Sequence, residues 1–237
     1  MLLVLRYSLL SLLLLGLGLS GLPAQAPDKP EVKKTRLTKS QGVFLETEGK
    51  IRRVLVETVV VLRKGQLEEF LCRKNQKEHE SILAGDFDAR DIHTTLLLAN
   101  GKAGSPVSYQ PTYKAASGSR VKVSVRHPGK DGKVLEEDAR RWVKNTSTLK
   151  ELESDWVFAG SSLFDNPDDP KNPIYLANQG DVICLSNFNT AMLDLPIESS
   201  QKAADLLFEA WTDRIPPIGT RVTVVLEVVG ERQEKGR

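Results

Sequence analysis

Arg120-Val121-Lys122-Val123-Ser124-Val125-Arg126 places a valine at every second position with a polar or charged residue between. Side chains of an extended chain point alternately to opposite faces, so this stretch reads as a β-strand with one apolar and one polar side. Lys130-Asp131-Gly132-Lys133 follows as a hairpin turn into another strand. Similar β-branched runs bounded by turn residues lie on both sides. Ile51 to Leu62 is rich in valine, and Lys64-Gly65 separates it from Gln66 to Arg73, which predicts a second hairpin. His79 to Ala84, Trp156 to Ala159, Tyr175 to Ala177, Val182 to Leu185 and Thr220 to Val229 read as further strands, with Gln179-Gly180 as a turn.

Helix is sparse. Ala89 to Ala99 has Asp88 to cap its first N–H groups, Asp91 in the first turn, Asn100-Gly101 as a stop, and Ile92, Leu96 and Ala99 as an apolar stripe. Gln201 to Trp211 carries apolar residues at helical spacing, while its aromatic content also suits a strand. The fold class that follows is α+β: mostly antiparallel β-strands, arranged as a sandwich or as open sheets, with one clear short helix near residues 89–99.

The ends carry different signals. Residues 1–26 read as a signal peptide, with Arg6, the apolar run Leu9 to Leu19, and Ala24-Gln25-Ala26 as a small-x-small cleavage pattern, which predicts a periplasmic or extracellular address. Residues 27–42 read as a flexible leader, 43–229 as one continuous domain and 230–237 as a charged tail. The chain of 237 residues has 33 basic and 31 acidic side chains, a formal net charge of +2, which gives no field to draw in nucleic acid. No apolar run after the signal segment is long enough to span a membrane.

Chemistry-bearing residues are scarce, with two cysteines and three histidines in all, so their clustering marks a candidate site. Cys72, His79, Glu80 and His93 fall within one short stretch, and these donors suit zinc or copper. The spacing fits no standard zinc motif, so the fold would have to assemble such a site from separate elements. A second reading makes Cys72 a nucleophile with His79 or His93 as base and Glu80 orienting the imidazole. A third makes the cluster structural, with His93 hydrogen-bonded to Glu80. Two thiols are too few for an iron–sulfur cluster, and whether Cys72 and Cys184 pair in a disulfide stays open. Asp165 to Pro170 lacks the spacing of a calcium loop, and Gly160-Ser161-Ser162 lacks the flanking glycine of a hydrolase elbow.

Lys77-Glu78-His79-Glu80-Ser81, Asp91-Ile92-His93, Gly104-Ser105-Pro106-Val107 and Asp155-Trp156-Val157-Phe158-Ala159-Gly160-Ser161 together resemble the YdjY-domain family of exported bacterial proteins. Asn187-Phe188 with Ala191-Met192-Leu193-Asp194-Leu195-Pro196 extends the resemblance over roughly Val43 to Val229. It implies a bacterial envelope protein and supplies no reaction; the family's occasional ferredoxin-like label does not suit two cysteines. The reading is therefore a binding or accessory protein and not a hydrolase. Its candidate residues are Cys72, His79, Glu80 and His93, with Asp155 and Trp156 as the second half of the pocket. A Cys-His enzyme and a purely structural or interaction protein of the envelope are the alternatives.

Overall fold

The computed structural model describes residues 30–198 and 207–230. The signal-like segment, the start of the Gln201–Trp211 segment and the tail after residue 230 lie outside them. In chain order the strands are β1 (Val32–Thr35), β2 (Val43–Glu48), β3 (Ile51–Val60), β4 (Glu69–Arg73) and β5 (Ser81–Gly85), then helix α1 (Ala89–Leu98). There follow β6 (Arg120–Pro128), β7 (Val134–Asp138), β8 (Val143–Asn145), β9 (Trp156–Phe158), β10 (Leu163–Phe164) and β11 (Ile174–Tyr175). The last are β12 (Ile183–Cys184), β13 (Leu193–Asp194), β14 (Phe208–Ala210) and β15 (Arg221–Val228).

The valine alternation of β6 sets a register. β15 lies between β3 and β6, antiparallel to both, so that Val56, Val224 and Val125 form one row across three strands and Val54, Leu226 and Val123 the next. All six are buried. At about 1.5–3 kcal/mol for each fully buried aliphatic side chain, these rows account for much of the wall's stability, and a one-residue slip would turn all of them outward. Thr58 stands opposite Val222, and its hydroxyl donates to the Val222 carbonyl at 2.8 Å, so the one polar side chain there is satisfied.

β3 and β6 each divide their outer edge between two partners. β3 pairs with β2 through Ile51 to Val56 and with β5 through Val59 and Val60. β6 pairs with β9 through Arg120 and Val121 and with β7 through Ser124 to Pro128. From β9 the sheet continues through β13, β12 and β4 to β5, and the β5–β3 pairing closes it. The result is a closed β-barrel of eight strands, β3-β15-β6-β9-β13-β12-β4-β5, and not the sandwich or open sheets expected from the strand count. Barrels of this size are filled by side chains. One contiguous core accordingly includes Phe70, Trp142, Trp156, Phe158 and Leu83.

The closure also corrects one hairpin. β3 and β4 do not pair; β5 enters between them, antiparallel to β3 and parallel to β4. β4 and β5 are buried along almost their whole length, as strands covered on both sides must be, so alternation gives no cue to their partners. The β6–β7 hairpin forms as expected. Val32–Thr35, inside the presumed flexible leader, is an edge strand on β2, and Phe208–Ala210 is a strand on β8.

Helix α1 follows β5 directly. Asp88 accepts from the Arg90 N–H at 2.9 Å, while Asn178 accepts from the Ala89 N–H and donates to Asp88. Burial would raise the Asp88 pKa, but the Arg90 guanidinium at 2.6 Å, with the Asn178 and Arg90 N–H bonds, outweighs it and holds it down at about 2. At the other end Asn100 takes φ 70°, its N–H donates to Leu97 O at 3.0 Å, and the Gly101 N–H donates to Leu96 O at 2.8 Å. This is the paired carbonyl capping of a helix that stops in a left-handed residue.

Residues 102–119 leave the barrel and return through an Ala103–Gly118 bridge. The Gly104 N–H donates to Phe158 O at 2.9 Å, tying the excursion to β9. A β-carbon on Gly118, at φ 136°, would stand 2.0 Å from Phe158 O, and one on Gly104 would stand 2.2 Å from Ser117 O. Neither position has room for a side chain.

Val224→Ala should lower unfolding free energy by about 2–4 kcal/mol in urea titration, whereas Lys122→Ala, on the exposed side of β6, should stay within about 0.5 kcal/mol. Asp88→Ala should cost about 1–2 kcal/mol, with the urea dependence unchanged.

Candidate functional site

The sequence cluster is spread over different environments. Cys72 lies on β4 opposite Ala84 of β5 and is fully buried. Burial pushes its thiol up to about 11, so it holds its proton and is not an activated nucleophile. Cys184 on β12 is also buried and free, and the two are not joined. His79 and Glu80 precede β5; the His79 side chain is 78% exposed, with Nε2 3.7 Å from Glu80. His93 is on α1 and does not bond Glu80. Among the described residues no three His, Cys, Asp or Glu side chains stand together as metal ligands. Asp155 pairs with Arg140 at 3.2 Å and Arg120 at 3.7 Å. Trp156 is buried, its indole N–H donating to Cys184 O at 2.8 Å, so both residues brace the β9 seam.

His93 has its own setting. Its Nδ1 is 2.8 Å from the Tyr175 hydroxyl, which lies 2.9 Å from Gly160 O. The hydroxyl has one proton, and the carbonyl can only accept, so both bonds are satisfied when Tyr175 donates to Gly160 and His93 donates from Nδ1. That tautomer leaves Nε2 with a lone pair. The ring meets Phe158 edge-on at 4.8 Å and Tyr175 at 5.7 Å. Burial lowers the His93 pKa below 6.5, partly offset by the Gly160 carbonyl, so the ring is neutral at pH 7. His93 lines a cleft of about 470 Å³ walled by Arg90 and Thr94 of α1 and by Ser161, Ser162 and Leu163. Ser161 takes φ 57°, and its hydroxyl donates to Thr190 O while accepting from the Ala177 N–H, which fixes the cleft's far wall.

A second polar group lies where β4 turns toward β5. The Lys77 ammonium is 2.9 Å from Asp181, 3.5 Å from Glu69, 3.6 Å from Glu80 and 3.9 Å from Glu68. The Phe188 ring lies 4.0 Å away. Gly180 makes room for the lysine stem, since a β-carbon there would stand 2.8 Å from Lys77 Cγ. Glu69 is fully buried and touches Lys77, Asp181 and the Cys184 thiol. Burial first, then Asp181, raises its pKa well above the carboxylate range. Glu68 is raised by burial and by Glu80. Burial opposes the Lys77 charge, but Glu69 and Asp181 outweigh it and keep the amine protonated. Nearby, Asp194 is fully buried and raised to about 7, mainly by burial.

Sequence reading named His93 and Glu80 as candidates but not Tyr175, Lys77, Glu69 or Asp181. Tyr175 and Asp181 are far from their partners along the chain and carry no motif. The run Glu68-Glu69 was a local signal: two acids beside a strand with fully buried neighbours demand a counter-charge.

Comparison with known proteins places the chain among relatives. The YdjY domain profile matches residues 45–227. No curated protein and no solved structure matches significantly. The match spans the whole barrel from β2 to β15, together with His93, Tyr175 and Lys77, and so the chain belongs to the YdjY-domain family.

Proposed function

We propose that this YdjY-domain protein is an exported binding module that takes a small, partly apolar ligand in the His93 cleft. The ligand donates an N–H or O–H to His93 Nε2 and lays its apolar part against Leu163 and Tyr175. The observation that carries this reading is the His93–Tyr175–Gly160 chain, which holds a neutral imidazole in one tautomer at the edge of an open cleft. A tautomer fixed by its second nitrogen is a preorganised acceptor, and preorganisation lowers the entropic cost of binding. Export is supported by the Arg6, Leu9 to Leu19 and Ala24-Gln25-Ala26 pattern. The nucleophile reading loses its support with the buried, protonated Cys72.

The test is NMR titration with 4-methylphenol, which pairs an O–H donor with an apolar ring. Saturable shifts should centre on His93, Ser161 and Leu163 and vanish in His93→Phe, which keeps a ring in the same packing. Lowering pH from about 7.5 through the folded pKa of His93 protonates Nε2 and should weaken binding roughly tenfold, about one hydrogen bond. Because the folded pKa of His93 lies below 6.5, its contribution to stability is present above that value and declines as pH falls through the folded pKa. His93→Phe should flatten that part of the pH–stability curve. Shifts of equal size in His93→Phe, or none in the wild type, would overturn the reading.

A further inference from the structure

Of the three tryptophans, Trp142 and Trp156 are fully buried in the core, whereas Trp211 is half-buried and stands outside it. It lines a cleft of about 660 Å³ beside the β8–β14 pair, which shares no residue with the His93 cleft. That volume falls within the roughly 300–1,000 Å³ of small-molecule sites. The Arg214 guanidinium lies over one face of the indole, 3.5 Å from its centroid, and is itself held by the Glu151 carboxylate and the Arg141 carbonyl. The ring is therefore fixed in the cleft wall, and its N–H bonds no group among the described residues. Leu149 lines the same cleft. It sits in the left-handed region at φ 58°, its N–H donating to Asn145 O at 2.9 Å, and is 64% exposed. A bulky residue held in that conformation with its side chain in water adds little to the core, and an outlier of this kind points to a use for the side chain.

The occupant follows from the lining charges. Arg140, Arg141, Lys150 and Arg214 stand against Asp138, Glu151 and Glu153, and Glu137 pairs with Arg141 at 2.9 Å. The cleft is thus close to neutral and has no field that selects an ion. A purely apolar ligand would strip water from these groups without replacing their hydrogen bonds. A neutral polyhydroxyl ring suits both parts of the wall: its C–H face covers Leu149 and the indole, while its hydroxyls each donate and accept. Neighbouring hydroxyls match the fork of a guanidinium or a carboxylate. The groups open to them are the half-exposed Arg141 guanidinium, the Lys150 ammonium and the Glu153 carboxylate, the last two without a partner among the described residues.

We propose that the Trp211–Leu149 cleft is a binding site for a neutral saccharide, with a sugar ring against Leu149 and Trp211 and its hydroxyls on Arg141, Lys150 and Glu153. This goes beyond the ligand reading of the His93 cleft and does not depend on it.

NMR titration of the full chain with maltotriose, cellotriose and the trimer of N-acetylglucosamine tests it. At least one of them should move the Trp211 indole N–H signal saturably at millimolar concentration, with the Leu149 amide, and leave the buried Trp142 and Trp156 indoles unmoved. Trp211→Ala, read at the Leu149 amide, should weaken that binding roughly tenfold. Leu149→Ser changes an exposed side chain and is read at the Trp211 indole, so it serves even if Trp211→Ala does not fold; it should weaken binding severalfold. No saturable movement with any of the three saccharides overturns the proposal, as does an affinity unchanged in Leu149→Ser. So does saturation by benzoate or by acetyl-trialanine amide and by no saccharide, which would assign the cleft to an anion or to a peptide.

Discussion

Two parallel neighbours, β4 and β5, are joined by residues 74–80 alone, and the barrel depends on that short return. Parallel strands ordinarily need a dozen or more residues, often a helix, to come back to the same end. Here residues 74–80 make the return through two tight turns, the Gln76 N–H donating to Arg73 O and the Glu80 N–H to Lys77 O. The Glu80 carbonyl receives both the Glu68 and the Glu69 N–H at 3.1 Å, and Lys77, in mid-return, anchors in the carboxylate cage. Only then does β5 meet β3 through Val59–Ala84 and Val60–Leu83 and close the ring.

That constraint explains which parts of the fold were legible. β6, β15 and α1 announce themselves because each has one wet face, so burial leaves a period of two or of about 3.6 in the sequence. The helix caps were equally readable, because Asp88 and Asn100-Gly101 solve local hydrogen-bond problems with local residues. β4 and β5 are buried on both sides and lose the period, so the glycine at position 65 suggested a hairpin that the parallel insertion replaces. Closure is a property of partners rather than of strands, and alternation counts only strands. The site divided in the same way: His93 could be placed beside the helix's apolar stripe, but its tautomer is set by Tyr175, 82 positions away.

The two polar groups work by opposite physics. In the His93 cleft, burial removes charge and leaves a neutral acceptor with a fixed proton. In the Lys77 cage, one ammonium keeps its charge against burial because carboxyl groups surround it. Buried ionic groups are weak evidence for stability, because their desolvation offsets much of their attraction.

The excursion from 102 to 119 has different freedom. Its two ends are tied at Ala103–Gly118 and by Gly104 to β9, where backbone atoms approach too closely for any β-carbon. With the ends already held, lengthening the segment between them costs only the slow logarithmic growth of loop-closure entropy. The glycine clasp therefore lets the length of this stretch vary without a change to the barrel's wall, provided Tyr109 and Tyr113 keep their contacts with Asn187.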